Sequence, residues 1–567
     1  MVPDPKLGLN DQLAKIRRNA EEKAAEKTAQ QAKLSYLNLS TSPVQVDALK
    51  LVSEKEARRL QVAPFQLKAK ELALAVVDPT ASAVSDLVKK LQADGYQVKL
   101  FAVSASSLAY AWTYYKYVSE AAENITGKVN IEEKKFNELT AELTDLQKVK
   151  KAITDFDFSA GGGSSSGGKI PTTGQILEVA LAGAISNRAS DIHFEAEEHG
   201  VRLRYRVDGL LHDIVPELSK DIYRFLLSRI KLLSNLKLNV ADSPQDGRFT
   251  IALPKKEIEI RVSINPSEFG EAVVMRVLDP SGIQLSLQQL GLRNDDLAII
   301  EGELKQPNGM ILNTGPTGSG KTTTLYAFLL SKRNPESKII TIEDPIEYRL
   351  EDIEQTQVKP EAGYNFASGL RSLMRQDPDV ILVGEVRDKE TAEIAIQAAL
   401  TGHLVFSTVH ANSAAGAIPR FLDLGVKAAS IGTAVNLIIA QRLVRRLCDC
   451  KIAEKTSESE ATKIKKFLAG LPARVNKGDY KKIEIFKPKG CPKCSGLGYR
   501  GRVAIIELLE VGDEMESLIK PDVSELKVQQ QAAKQGMVTL QQDGILKVIT
   551  GVTTFEEVEG ATGPLQF

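Results

Sequence analysis

The stretch that decides the fold is Ile311-Leu312-Asn313-Thr314-Gly315-Pro316-Thr317-Gly318-Ser319-Gly320-Lys321-Thr322-Thr323. It contains G-x-x-x-x-G-K-T in full, after an apolar, strand-like run and before a helical pattern. The glycines let backbone N–H groups wrap a polyphosphate, and the following helix presents its positive N-terminus to it. In such a loop Lys321 reaches the β- and γ-phosphates and Thr322 ligates Mg²⁺. A chance glycine-rich turn would need neither the strand before it nor the helix after it. The expectation is an α/β nucleotide-binding core over residues 284–440.

A strand ending in acids should follow, and Val380-Ile381-Leu382-Val383-Gly384-Glu385 supplies one. The acid that usually comes directly after the apolar run is replaced here by Gly-Glu. Glu385 is therefore the candidate for ordering the water shell of Mg²⁺. Thr341-Ile342-Glu343-Asp344-Pro345-Ile346-Glu347 is a second acidic element. A carboxylate near the γ-phosphate can orient or deprotonate the attacking water, and chemistry alone does not choose between Glu343 and Glu347. Thr401 to His410 contains His403 and His410, two of only five histidines. A lone histidine is more often structural. Two beside a nucleotide-site strand also suit phosphate sensing or subunit coupling.

Working outward, residues 170–283 begin with a helical pattern (176–188) and continue in strands. Val201 to Val207 and Ile258 to Ile264 alternate apolar with charged residues, as a half-buried sheet requires. Ala160 to Gly168 is a flexible Gly/Ser linker by composition, and its nine residues would span about 15–18 Å root-mean-square. A domain boundary falls there, and the front module can reorient against the rest. Residues 34–120 look like a small α/β domain, with strands at 72–77 and 95–101 and a helix at 83–91. Its aromatics Tyr110, Trp112, Tyr114, Tyr115 and Tyr117 suit helix packing better than a binding site. Residues 8–33 read as a solvated helix, either a mobile tail or a partner-binding element.

All four cysteines lie between 441 and 505, as Cys448-Asp449-Cys450 and Cys491-Pro492-Lys493-Cys494, with forty residues between the pairs. Four soft ligands in two pairs suit tetrahedral Zn²⁺. Free thiols in a reducing cytosol are the plainer alternative. The segments drawn are 1–33 (helical tail), 34–125 (small α/β domain), 126–169 (helical segment and linker), 170–283, 284–440, 441–505 (cysteine module) and 506–567 (short helices).

Composition sets the class. The chain has 567 residues, 73 basic and 73 acidic. Zero net charge argues against a protein that grips nucleic acid directly, and four cysteines exclude a disulfide scaffold. No signal-peptide core and no apolar run of about 18 residues are found. The expectation is a cytoplasmic multidomain protein.

Four signatures coincide in order: the phosphate loop at 315–323, the acidic box at 341–347, Gly384-Glu385-Val386-Arg387-Asp388, and the histidine box at 401–410. Together they resemble the hexameric ATPases that power type II secretion and type IV pilus assembly. Ser190-Asp191-Ile192-His193-Phe194-Glu195, Arg206-Val207-Asp208-Gly209 and Ala440-Gln441-Arg442-Leu443 also match. The likeness is strong over about 170–510 and weaker over 34–120.

The resemblance implies a RecA-like P-loop core, a PAS-like N2 domain, a small α/β N1 domain and a zinc-binding insertion. It makes Glu347 the general base and Glu385 the atypical Walker B acid. It assigns Arg261 and Arg276 to the nucleotide phosphates, with plain sheet-surface charge as the alternative. It implies ATP, Mg²⁺ and Zn²⁺, a homohexamer, and a motor at the inner face of the cytoplasmic membrane. That motor would drive an inner-membrane platform protein and dock on cytoplasmic-facing assembly proteins through its front module. Three departures or gaps stand out. Gly270-Glu271-Ala272 replaces Gly-Glu-Arg, the first cysteine pair is C-x-C, and no convincing cyclic-dinucleotide motif is present. The rivals are a retraction motor, a DNA-transfer or DNA-uptake motor, and a nucleotide-binding scaffold of low turnover.

Overall fold

The computed structural model describes residues 9–39, 42, 44, 46–68, 70–117, 128–129, 133–155, 173–238, 240–253, 256–280 and 285–567. The Gly/Ser linker at 160–168 lies outside them. The chain divides into two compact units, Met1–Leu278 and Asp279–Phe567.

The first unit holds two sheets. The smaller orders strands Ser35–Tyr36, Gln97–Ala102, Glu71–Val76 and Val62–Lys68 side by side. Helix Ser82–Ala93 buries Val84, Leu87 and Leu91, an i, i+3, i+7 stripe that faces a core. The aromatics also pack: Tyr114 and Tyr115 are buried, and the Trp112 indole N–H donates to the Val62 carbonyl. Helix Leu9–Ala32 is not solvated all round. It buries Ala25 and Ala29, and Glu22 accepts hydrogen bonds from Tyr36 and Ser104.

The larger sheet orders Lys128–Val129, Gln245–Leu253, Lys256–Ser267, Gly270–Leu278, Ala189–Ala196, Val201–Val207 and Leu210–Leu218. In Val201–Val207 every second residue is buried, as the alternation requires. In Gly270-Glu271-Ala272 the departure lies at Ala272, and the glutamate before it is used inside the domain. The Glu271 carboxylate pairs with the fully buried Lys231 ammonium at 2.6 Å.

The second unit is built on a sheet ordered Glu354–Gln357, Ile339–Glu343, Val380–Val383, Leu404–Val409, Gly309–Thr314, Val435–Leu447 and Tyr499–Glu510. The first six run parallel and the last is antiparallel. Its four central strands, Ile339–Glu343, Val380–Val383, Leu404–Val409 and Gly309–Thr314, are buried along their whole length because helices cover both faces. Met310 and Leu312 enter one core, and Ile311 between them enters the other.

Strand Val435–Leu447 runs through the boundary drawn at 440/441, and Tyr499–Glu510 runs through the one drawn at 505/506. The cysteine module therefore grows out of the two last strands of the sheet. Its helix Glu458–Gly470 contributes Ile464 and Phe467 to a core shared with Ile545, Leu546 and Ile549 of helix Leu540–Ile549.

One buried carboxylate ties these parts together. Asp543 is fully buried and accepts from Arg293 Nη1 (2.8 Å), Lys547 Nζ (2.5 Å) and the Ile506 N–H (2.8 Å). Removing it leaves two buried cations short of a partner. Asp543→Ala is expected to destabilise the second unit by about 3–5 kcal/mol, read as a lower melting temperature of the full chain. An unchanged melt would refute the role.

Candidate nucleotide site

Strand Gly309–Thr314 lies between two parallel neighbours, so residues 315–320 leave the sheet at its carboxyl end, where open α/β sheets place ligands. Gly315 has φ +147°, and a Cβ there would sit 2.4 Å from the Gln441 carbonyl oxygen. No side chain fits. Lys321 opens helix Lys321–Lys332, and its ammonium donates to the carbonyls of Gly315 (2.8 Å) and Pro316 (3.1 Å). Burial lowers its pKa, and the nearby Glu385 carboxylate opposes that. Thr322 is exposed in the first turn, and Thr323 is half-buried.

Glu385 follows strand Val380–Val383 after one glycine. A Cβ on Gly384 would lie 3.3 Å from Glu343 Cα and from the Ile342 carbonyl oxygen, a tight fit against the neighbouring strand. Thr408 on the next strand fixes this turn: its hydroxyl donates to the Gly384 carbonyl at 2.8 Å and its carbonyl accepts from Val386 N at 2.9 Å. Glu385 Oε2 is 2.6 Å from Arg387 Nε and 3.7 Å from His410 Nε2. The turn bearing His410 is tied to the end of the phosphate-loop strand, where Thr314 Oγ1 both donates to the Ala411 carbonyl and accepts from its N–H, each at 2.8 Å.

His403 is not brought to this place. The register pairs Gly309 with Leu404 and Thr314 with Val409, so His403 and His410 flank opposite ends of one strand. At about 3.3 Å per residue they are separated by about 23 Å. His403 Nδ1 lies 2.9 Å from the Ala398 carbonyl at the end of the preceding helix.

The two acids left open by chemistry have different surroundings. Glu343 is buried, with hydrogen bonds from Tyr326 Oη (2.5 Å), Thr341 Oγ1 (2.6 Å) and Gln355 Nε2 (3.2 Å). Burial pushes its pKa up, and those three donors hold against it. Gln355 also donates to the Tyr348 carbonyl (3.0 Å) and accepts from Leu350 N–H (2.7 Å). Glu343 is thus engaged beneath the loop that carries the half-buried Glu347. Tyr326, Thr408 and Gln355 were missed from sequence. A tyrosine in an apolar helix and a threonine in an apolar strand were the available signals.

In the first unit, Arg248, Arg261, Arg276, Asp191 and Arg206 stand opposite one another on successive strands. Like charges directly opposite are destabilising. Asp191 relieves part of this, lying 3.0 Å from Arg276 and 3.4 Å from Arg206, and Glu259 lies 3.2 Å from Arg261.

The four cysteine sulfurs lie within 4.8 Å of one another, with edges of 3.9 Å (Cys448–Cys491 and Cys450–Cys494) and 3.8 Å (Cys491–Cys494). A regular tetrahedron around a metal at about 2.3 Å from sulfur has edges of about 3.8 Å. Cys491 N–H (3.1 Å) and Gly498 N–H (3.2 Å) donate to Cys494 Sγ, the outer support a thiolate ligand needs. The C-x-C pair takes its place in this set, and the donors suit a soft divalent ion.

A phosphate loop at the carboxyl end of a parallel sheet, with acids on the two strands beyond, defines a P-loop ATPase. Residues 169–560 match the family described as Type II/IV secretion system protein, and residues 32–122 match the MshEN domain. The chain belongs to the secretion-system family and is an ATPase of it. It is 37% identical over 551 residues to the type IV pilus assembly ATPase PilB of Myxococcus xanthus, covering 96% of this chain and 92% of the relative. It is 44% identical over 385 residues to the type II secretion system protein E of Pseudomonas aeruginosa, covering 68% of this chain and 74% of the relative. The ATPase DotB of Legionella pneumophila shares the fold at 21% identity and a TM-score of 0.51, covering 69% of this chain and 96% of that one.

Gly315→Ala would drive a Cβ into the Gln441 carbonyl. The expected outcome is at least a tenfold loss of ADP affinity, about 1.4 kcal/mol or more, with the far-ultraviolet dichroism spectrum unchanged. Normal binding of a fluorescent nucleotide would contradict the loop geometry.

Proposed function

We propose that the chain is the assembly motor of a type IV pilus, hydrolysing ATP as a homohexamer to drive an inner-membrane platform protein that adds pilin subunits. The observation that carries this is the likeness to a pilus assembly ATPase across 96% of the chain, front domain included. A type II secretion pseudopilus is the second reading, favoured by higher identity over 68% of the chain. The retraction reading has no comparable support. No helix among the described residues is long and apolar enough to cross a membrane; attachment to the inner face of the membrane through partners is part of the proposal.

In the proposed mechanism Gly315 to Thr323 cradle the polyphosphate and Lys321 moves from the loop carbonyls to the phosphate oxygens. Thr322 and Glu385 would hold Mg²⁺, which when bound neutralises phosphate charge. Glu347 accepts the proton of the attacking water. Glu343, with three donors of its own, holds the acidic loop in shape and is not the base. His410 and Arg387 fix the Glu385 carboxylate. Arg261 and Arg276 are the proposed phosphate-contacting arginines, and the like-charge row they belong to supports a functional role over surface charge. His403 serves the packing of its own strand. Zn²⁺ is the proposed occupant of the four cysteines, where it would pin the excursion between them.

Two measurements test this. ATP turnover should rise with protein concentration in step with hexamer formation seen by light scattering, and Glu347→Gln should lower kcat at least about a hundredfold, the scale of a lost general base. A monomer that turns over no faster than the variant would leave only a binding scaffold. Metal analysis should find one zinc per chain. Cys491→Ser should release it and lower the melting temperature while ADP still binds, and a zinc-free wild type would refute the metal.

A further inference from the structure

Gln441 has no role in the mechanism above, yet the phosphate loop is built against it. It comes one residue after the pairing of strand Val435–Leu447 with strand Gly309–Thr314 ends at Thr314 and Ala440, where the loop begins, and it stays paired with Ile506 on the other side. It is 2% exposed and follows directly on the apolar run Leu437 to Ala440. A carboxamide in such a place is costly unless its polar atoms are used. Here they are. Gln441 Nε2 donates to the Ser319 carbonyl at 2.9 Å, and Oε1 accepts from Thr324 Oγ1 at 2.8 Å and from Asn313 Nδ2 at 3.3 Å.

The chemistry fixes the orientation of this amide. A carbonyl can only accept, so the nitrogen must face Ser319 and the oxygen must face Thr324. One side chain thereby joins the loop (Ser319), the first turn of the helix that follows (Thr324) and the strand that precedes it (Asn313).

We propose that Gln441 is a positioning residue for nucleotide binding: its carboxamide sets the direction of the Ser319–Gly320 peptide in the phosphate loop. In a planar trans peptide the C=O and N–H point in opposite directions. Holding the Ser319 carbonyl toward Gln441 turns the Gly320 N–H away from the strand, the direction a loop amide needs to serve a phosphate oxygen. Gly320 itself has φ +89°, and a Cβ on it would lie 2.8 Å from Gln441 Nε2, so no side chain can separate the loop from its clamp. The inference rests on residues 315–323 being the nucleotide site.

The test is a split between KM and kcat. Gln441→Glu keeps the shape but puts an acceptor against the Ser319 carbonyl, and Thr324→Val removes the hydroxyl that orients the amide. Gln441→Glu is expected to raise the KM for ATP and the Kd for ADP about tenfold, the worth of one well-made hydrogen bond, with kcat at saturating ATP changed less than about threefold. Thr324→Val should shift both constants in the same direction by less, and the double variant should be no worse than Gln441→Glu alone, as expected of residues acting through one contact. Thr324→Val is nearly isosteric and carries the test should Gln441→Glu fail to fold. Wild-type KM and Kd in the variants, or a fall in kcat at unchanged KM, would overturn the proposal. Normal ADP binding by Lys321→Ala would instead show that the nucleotide site lies elsewhere.

Discussion

The site depends on one close approach. The backbone of strand Val435–Leu447 lies so near the phosphate loop that a single Cβ at Gly315 would fall 2.4 Å from the Gln441 carbonyl oxygen. From that constraint the rest follows. The loop can be glycine-rich without being loose, because its open face is walled by a strand. The Lys321 ammonium, held by carbonyls of the same loop, starts close to where phosphate charge must be met. Preorganisation of this kind lowers the cost of ordering the loop when a ligand arrives.

The acids around the loop differ in how they are held. Glu385 keeps an arginine and a histidine as partners at the carboxyl end of the sheet. Glu343, four residues before Glu347, is buried under three donors from a helix, its own strand and the edge strand. A carboxylate so engaged defines the loop above it. Leaving its oxygens unpaired would cost more than a neutral side chain of the same shape, so the network behaves as a unit.

The cysteine module shares this logic at a distance. Its stems are the last two strands of the ATPase sheet, and its helix packs on the same C-terminal helix whose Asp543 binds Arg293 and the strand at Ile506. A metal there would close a forty-residue excursion onto a core that already exists.

Several features were legible in the sequence because they are local. The phosphate loop is one contiguous segment whose glycine spacing is dictated by backbone geometry, and the strand alternation at Val201–Val207 is set by a period of two. The cysteine pairs have the ligand type and spacing that suit a metal. The order of the sheet, the separation of His403 from His410, and the burial of Glu343 were not legible. Each depends on which strand lies beside which and in what register, and the partners are far apart in the chain: Tyr326 and Gln355 reach Glu343 from a helix and an edge strand, and Gln441 reaches Ser319 across 122 residues. The sequence by itself determined the phosphate-loop pattern and the two cysteine pairs. Only the tertiary structure decided which acids and amides serve that site, because a buried polar group takes its role from the neighbours that satisfy it.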